Sequence, residues 1–224
     1  MGNINEVSKK IKTISILGDS YSSFIGWIDG SYECWYPPKK ELEKNNVREV
    51  TQTWWYQLCD ESGIKLVKNE SYSGSTICNT GYEGVDSTKS SYITRAEKSF
   101  GKTSKILEKA DVLIVFGGTN DEWAGSPVGD VKYSNWDNED KKKMIPAFCY
   151  ILNCLKVNNE KSKIITIIND EIRVASQEKM IEACEHYDIK SLRLKEIDKV
   201  EGHPTILGMK QIKEQILEFL IEEV

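Results

Sequence analysis

Five short apolar runs constrain this chain more than any other feature. They are "TISIL" (13–17), "IKLVKN" (64–69), "DVLIVF" (111–116), "KIITII" (163–168) and "IKSLRL" (189–194). Most of them do not alternate apolar with polar residues, so both faces of each strand need cover, as in a parallel sheet between helices. Helical patterns fall between the runs, at 47–62, 94–110 (interrupted by Gly101), 141–159, 175–187 and 204–224. Strict alternation of strand and helix predicts an α/β fold: a three-layer α/β/α sandwich with a five-stranded parallel sheet. A length of 224 residues suits one such domain, spanning 1–224. In a doubly wound sheet of order 2-1-3-4-5, strands 1 and 3 are neighbours at the switch point. Ligands bind beyond the carboxyl ends there.

Two connections leave from that edge and are too long for turns: residues 21–46 after the first strand and 117–140 after the third. Loops of this length in a compact domain are commonly functional, and their Trp and Tyr content argues for order. The first strand stops on Gly18-Asp19-Ser20, and the third on Gly117-Gly118, followed by Thr119, Asn120 and Asp121. Such residues end strands as ordinary turns and caps. The same residues also supply a hydroxyl nucleophile beside a carboxamide that can donate to an oxyanion. "NESYSGSTIC" (69–78) puts Gly74 on the same edge, either as a plain turn or as a second backbone donor. Of two histidines, His186 near a helix end suits the helix dipole, whereas His203 lies in the loop before the last helix. If a histidine activates Ser20, His203 is better placed.

These blocks (Gly18-Asp19-Ser20, Asn69 to Gly74, Gly118 to Asp121 and His203-Pro204) occur in the order found in the SGNH, or GDSL-type, hydrolases, which the chain resembles over residues 18 to 204. The resemblance implies a flavodoxin-like fold and a metal-free serine esterase without a cofactor. Ser20 would be the nucleophile and His203 the base and then the acid. The Ser20 N–H, the Gly74 N–H and the Asn120 side chain would form the oxyanion hole. The family places an aspartate three residues before the histidine, and this chain has Val200 there. Asp198 and Glu201 flank the gap. Asp198, close to the fifth strand, is expected to orient His203 in preference to Glu201.

Composition narrows the partners. A net charge of -5 with no Lys/Arg cluster argues against nucleic acid, and no apolar window approaches a membrane span. The N-terminus reads as neither a signal peptide nor a myristoylation site, which makes the cytoplasm the expected location. The cysteines (Cys34, Cys59, Cys78, Cys149, Cys154, Cys184) form no Cys-x-x-Cys pair, and with two histidines a zinc site is not expected. Four of the six tryptophans lie in the two long loops. Trp27, Trp35 and Trp123 are expected to offer flat faces to a sugar ring, with Trp54 and Trp55 in the core. The favoured substrate is a short acyl ester, such as acetate, on a carbohydrate. Lipase, lysophospholipase or thioesterase chemistry on the same residues is the nearest alternative. A flavodoxin-like module that binds a small ligand without turning it over is the other class.

Overall fold

The computed structural model describes residues 7, 9–39, 45–102, 104 and 109–223. Five strands build the sheet: β1 (Thr13–Gly18), β2 (Lys65–Ser71), β3 (Val112–Phe116), β4 (Lys163–Ile168) and β5 (Lys190–Arg193). They are parallel throughout, in the order β2-β1-β3-β4-β5. The order and direction are those expected from the apolar runs. The helices α1 (Trp54–Ser62), α2 (Tyr92–Phe100), α3 (Thr119–Ala124), α4 (Met144–Asn158), α5 (Val174–His186) and α6 (Ile206–Glu223) accompany it.

Although β3 is apolar at every position, the two-residue period sorts its side chains. Leu113 and Val115 enter one core with residues of α2, α4 and α5. Val112, Ile114 and Phe116 enter the other, with Trp54, Trp55 and Leu58 of α1 and Met209, Ile212 and Ile216 of α6. The two cores are the two outer interfaces of an α/β/α sandwich. Trp54 and Trp55 are core residues, as expected.

Two expected helices are shorter than their patterns. The run 47–62 becomes helical only at Trp54, where the Thr53 hydroxyl accepts from the Tyr56 N–H; a 3-10 turn (Val50–Gln52) precedes it. The run 94–110 stops at Phe100; residues 103 and 105–108 of that pattern lie outside the described residues. Two elements had no periodic signal. One is α3, inside what reads as a loop. The other is a hairpin of β6 (Lys199–Val200) and β7 (His203–Pro204). Its turn residues Glu201 and Gly202 both have positive φ, 54° and 73°, as a two-residue hairpin that follows the strand twist requires.

The register brings the site together. Gly18 at the end of β1 pairs with Ser71 of β2 on one side and Phe116 of β3 on the other, so three strands finish level. No side chain fits at residue 18, because a Cβ there would stand 2.5 Å from the Ser71 hydroxyl. Just past this edge the chain turns at Ser20–Ser22, capped by the Asp19 carboxylate, which accepts from the Tyr21 N–H at 3.0 Å. Among the described residues no helix is long and apolar enough to cross a membrane.

Candidate active site

Ser20 leaves the end of β1 on that short turn, and the turn is held from behind. The Trp55 indole N–H and the Asn69 amide both donate to the Ser22 carbonyl, at 3.0 and 2.8 Å, and the Trp54 indole donates to the Ser22 hydroxyl at 3.2 Å. Thus the two core tryptophans also fix the turn that presents Ser20.

The β6–β7 hairpin delivers His203 from the far end of the chain. Tyr21 donates to the Gly202 carbonyl at 2.5 Å, Tyr36 to the Pro204 carbonyl at 2.7 Å, and the Asn45 amide to the carbonyls of His203 and Pro204. A side chain on Gly202 would press against the Trp123 ring at 2.9 Å. His203 Nε2 then lies 2.9 Å from Ser20 Oγ. Its Nδ1 lies 3.1 Å from the Glu201 carbonyl. A carbonyl only accepts, so Nδ1 carries the proton and Nε2 is free to accept from the serine hydroxyl. Ser20 and His203 are 2 % and 6 % exposed. Burial pushes the His203 imidazole down to about 4, against a smaller opposing effect of the Glu201 carbonyl.

Asp198 is not at the ring, which corrects the expectation for the orienting acid. The hairpin begins one residue later. Its register sets Val200 opposite His203 and leaves Asp198 at the base, beside Thr205. There the Asp198 carboxylate accepts from the Thr205 hydroxyl, which in turn caps α6 through the Gly208 N–H at 3.2 Å. The position of the expected acid is taken by the Glu201 main chain, and no carboxylate hydrogen-bonds His203 among the described residues.

Asn120 sits in the first turn of α3, 2 % exposed. Its Oδ1 accepts from the Tyr82 hydroxyl at 2.8 Å, which turns Nδ2 the other way. That Nδ2 is buried with no hydrogen-bond partner among the described residues. An unpaired buried amide donor costs free energy, and this one is free to donate to an incoming acceptor. The neighbouring Asp121 clamps the Gly74 loop to α3, accepting from the Ile77 and Cys78 N–H groups at 2.7 and 3.2 Å. Burial pushes Asp121 up to about 6 and Asp19 up to about 7. Gly74 is exposed on the same edge. Among the described residues neither its N–H nor that of Ser20 donates to another group.

Arg95 holds these pieces in register and carries no sequence signal of its own beyond a charge within an amphipathic helix. It is 1 % exposed and donates to the Gly18 carbonyl at 2.9 Å, to the Ser90 carbonyl at 3.0 Å, to the Glu70 carbonyl and to the Ser75 hydroxyl. The ends of β1 and β2 and the loop after Gly74 therefore share one guanidinium. Tyr82, Tyr21 and Tyr36 were equally invisible, since each acts on a residue distant in sequence.

Of the three tryptophans expected to face a sugar, Trp35 and Trp123 reach His203, at ring distances of 3.5 and 5.6 Å, and Trp27 packs on Trp55 and Tyr56. One face of Trp35 is covered by the imidazole, so that face is not open to a sugar, contrary to expectation. Trp123 is 38 % exposed and donates its indole N–H to Glu171 at 3.1 Å. All six cysteines are free, and among the described residues no cluster of three or more His, Cys, Asp or Glu could hold a metal ion.

The arrangement can deprotonate a hydroxyl and receive an oxyanion, and the chain that carries it is similar to known proteins in sequence and fold. The sequence profile of the GDSL-like lipases and acylhydrolases matches residues 12–220. No curated protein sequence matches the chain. A candidate GDSL-like lipase from Bacteroides ovatus is 40% identical, with a TM-score of 0.87 over 95% of this chain and 99% of its own. Another from Bacteroides uniformis is 43% identical, with a TM-score of 0.86 over 93% of this chain and 95% of its own. At 12% identity, the fold alone is shared with a family two carbohydrate esterase from Clostridium thermocellum in complex with cellohexaose (TM-score 0.62; 95% of this chain, 64% of the other). With a matching profile along nearly its whole length and two structures at this identity, the chain belongs to the GDSL-like lipase/acylhydrolase family and is an enzyme of that family.

Proposed function

We propose that this enzyme is a serine esterase that removes a short acyl group, acetyl above all, from a carbohydrate. The single observation that carries the reading is the 2.9 Å approach of Ser20 Oγ to His203 Nε2, and the buried, unpartnered amide of Asn120, just past the end of the strand next to β1, supports it. In the reaction, Ser20 Oγ bonds to the ester carbonyl carbon while its proton passes to His203 Nε2. The carbonyl π electrons move onto oxygen, and the Asn120 amide with the Ser20 and Gly74 N–H groups receives that charge. The imidazolium then protonates the leaving alcohol as the ester C–O bond breaks. Water repeats the sequence on the acyl-serine, releasing the acid. Neutral Nε2 is required at the start. Its low proton affinity keeps it neutral through the whole physiological range.

Orientation of the imidazole falls to the Glu201 carbonyl, so the machinery is a dyad with a main-chain acceptor. The substrate assignment draws on cover. Ser20, Asn120 and His203 are all nearly closed off, while Gly74, Tyr82 and Trp123 form the exposed surroundings. A small acyl group suits such a site, and Trp123 supplies an aromatic face for the sugar, with the 45 % exposed Trp27 as an outer one. The fold likeness to a carbohydrate esterase agrees with this.

The test is a panel of p-nitrophenyl esters from acetate to laurate, together with acetate release from acetylated sugars and labelling by a fluorophosphonate. The expected result is highest kcat/KM for acetate, turnover of an acetylated sugar, and the label on Ser20. A preference for long chains would move the enzyme to lipase chemistry. Absence of both turnover and label would make it a binding module.

A further inference from the structure

Trp35 lies face to face with the imidazole of His203, their planes within 7° and ring centroids 3.5 Å apart. The segment that carries it is pinned to both halves of the dyad. The Trp35 N–H donates to Ser23 Oγ at 2.9 Å, and Ser23 Oγ donates to the Ser20 carbonyl at 3.1 Å. On the other side the Tyr36 hydroxyl bonds the Pro204 carbonyl. The stack is thereby fixed relative to the nucleophile as well as to the base.

Among the described residues none of the nearby carboxylates bonds the ring. The Asp198 carboxylate is bonded by Thr205, Lys199 is paired with Asp170 and Glu171, and Asp19 accepts from the Tyr21 N–H through Oδ1 while its Oδ2 is buried without a partner. Tyr21 and Tyr36 give their protons to the carbonyls of Gly202 and Pro204, Trp123 meets the imidazole edge to face, and the side chain of Glu201 is exposed. A positive charge forming on His203 therefore meets one neutral carbonyl and the rings of Tyr21, Tyr36, Trp123 and Trp35, of which the Trp35 indole alone is stacked on it face to face. Indole has the most negative face of the aromatic side chains, and its attraction for a cation grows when water is excluded.

We propose that Trp35 is a positioning residue whose π face stabilises the imidazolium form of His203, taking over part of what a carboxylate at Nδ1 would do. The inference rests on the reading of Ser20 and His203 as nucleophile and base. When the serine proton moves to Nε2 the ring becomes cationic over Trp35, and when that proton leaves with the alcohol the stack returns to its neutral form. The indole exchanges no atom and no electron with the substrate.

The test keeps the shape of Trp35 and thins its π density, by site-specific replacement with mono-, di- and tetrafluorotryptophan. For phenyl acetate at neutral pH, kcat/KM should fall stepwise, by roughly tenfold or more across the series, with the melting temperature unchanged. The same series at Trp136, which packs on Tyr150 and donates to the Lys132 carbonyl, should be flat. Proton NMR gives a second reading, because the chain has only two histidines. The pKa of His203 should fall along the Trp35 series. A flat Trp35 series, or an equal slope at Trp136, overturns the inference. Labelling of Ser20 by the fluorophosphonate separates the two failures. If Ser20 is labelled and the series is flat, the stack alone is wrong. If Ser20 is unlabelled in the unmodified enzyme, the serine–histidine reading has failed beneath it.

Discussion

The two histidines of the chain make nearly the same aromatic contact and sit in opposite surroundings. His203 stacks on Trp35 at 3.5 Å and 7°, and His186 stacks on Tyr133 at 3.6 Å and 9°. His186 is exposed in the last turn of α5, where a cation-capable residue suits the helix dipole. His203 is buried, with a hydroxyl at one ring nitrogen and a carbonyl at the other. The stack holds a ring flat in both places. What fits His203 and not His186 to the proposed role of base is a proton donor at hydrogen-bond distance and an acceptor that fixes the tautomer.

Substitution is the strongest way to break this comparison. Ser20→Ala and His203→Asn should each remove roughly 10⁴ or more of kcat, whereas His186→Asn should leave turnover within about twofold. Loss of activity in the His186 variant with retention in the His203 variant would reverse the two assignments. Asn120→Ala comes next, with a loss of roughly 10²–10³ in kcat and little change in KM, since its donor counts most when the oxyanion forms. Tyr82→Phe should cost less, about tenfold or below, because it frees the amide to rotate without removing it. Equal loss of binding for a ground-state product would make Asn120 a substrate-binding residue.

Acidity sharpens the same contrast. The base must be neutral, so kcat/KM should hold to about pH 5 and fall as pH drops through about 4, the value to which burial pushes His203. An acid limb at the ordinary histidine value of about 6.5 would mean that the ring is hydrated. Asp198→Asn should change kcat by no more than about threefold and lower the melting temperature by about 2–4 °C, because it loosens Thr205 at the start of α6. Glu201→Gln should do neither. A tenfold loss of kcat in Asp198→Asn with full stability would return that carboxylate to the site.

The smallest effect concerns Asp19. Burial raises its pKa in the folded protein from 3.8 to about 7. The folded state then binds the proton more tightly than the unfolded chain, and stability from this group falls as pH rises between those two values. Asp121, pushed up to about 6, acts in the same direction. Asp19→Asn should therefore flatten the decline of melting temperature between about pH 4 and 7, measured by calorimetry. An unchanged decline would show that Asp19 is ionised throughout.

The sheet was legible because its strands are continuous apolar runs, and covering both faces leaves few alternative arrangements. Ser20, Asn120, Gly74 and His203 were legible because they punctuate the ends of elements. The orienting partner of His203 was not. A pair of two-residue strands has no period to detect, and Glu201-Gly202 is a weaker hairpin signal than Asn-Gly or Asp-Gly. Without the hairpin, Asp198 looked free to swing under the ring. Arg95 and Tyr82 escaped for a related reason: each is an ordinary residue on an ordinary element until the fold sets it beside a distant carbonyl or carboxamide.

That the partner of Nδ1 is a main-chain oxygen alters how this enzyme will look to genetics. Every amino acid carries that oxygen, so no single codon change deletes it. A complete mutational scan should register Ser20, Asn120 and His203 and find no acidic member, even though the imidazole is held on both sides. Its vulnerability lies in the shape of the turn instead. Bulky or β-branched replacements at Gly202, where φ is 73°, should mimic the loss of a catalytic acid by rotating the carbonyl away.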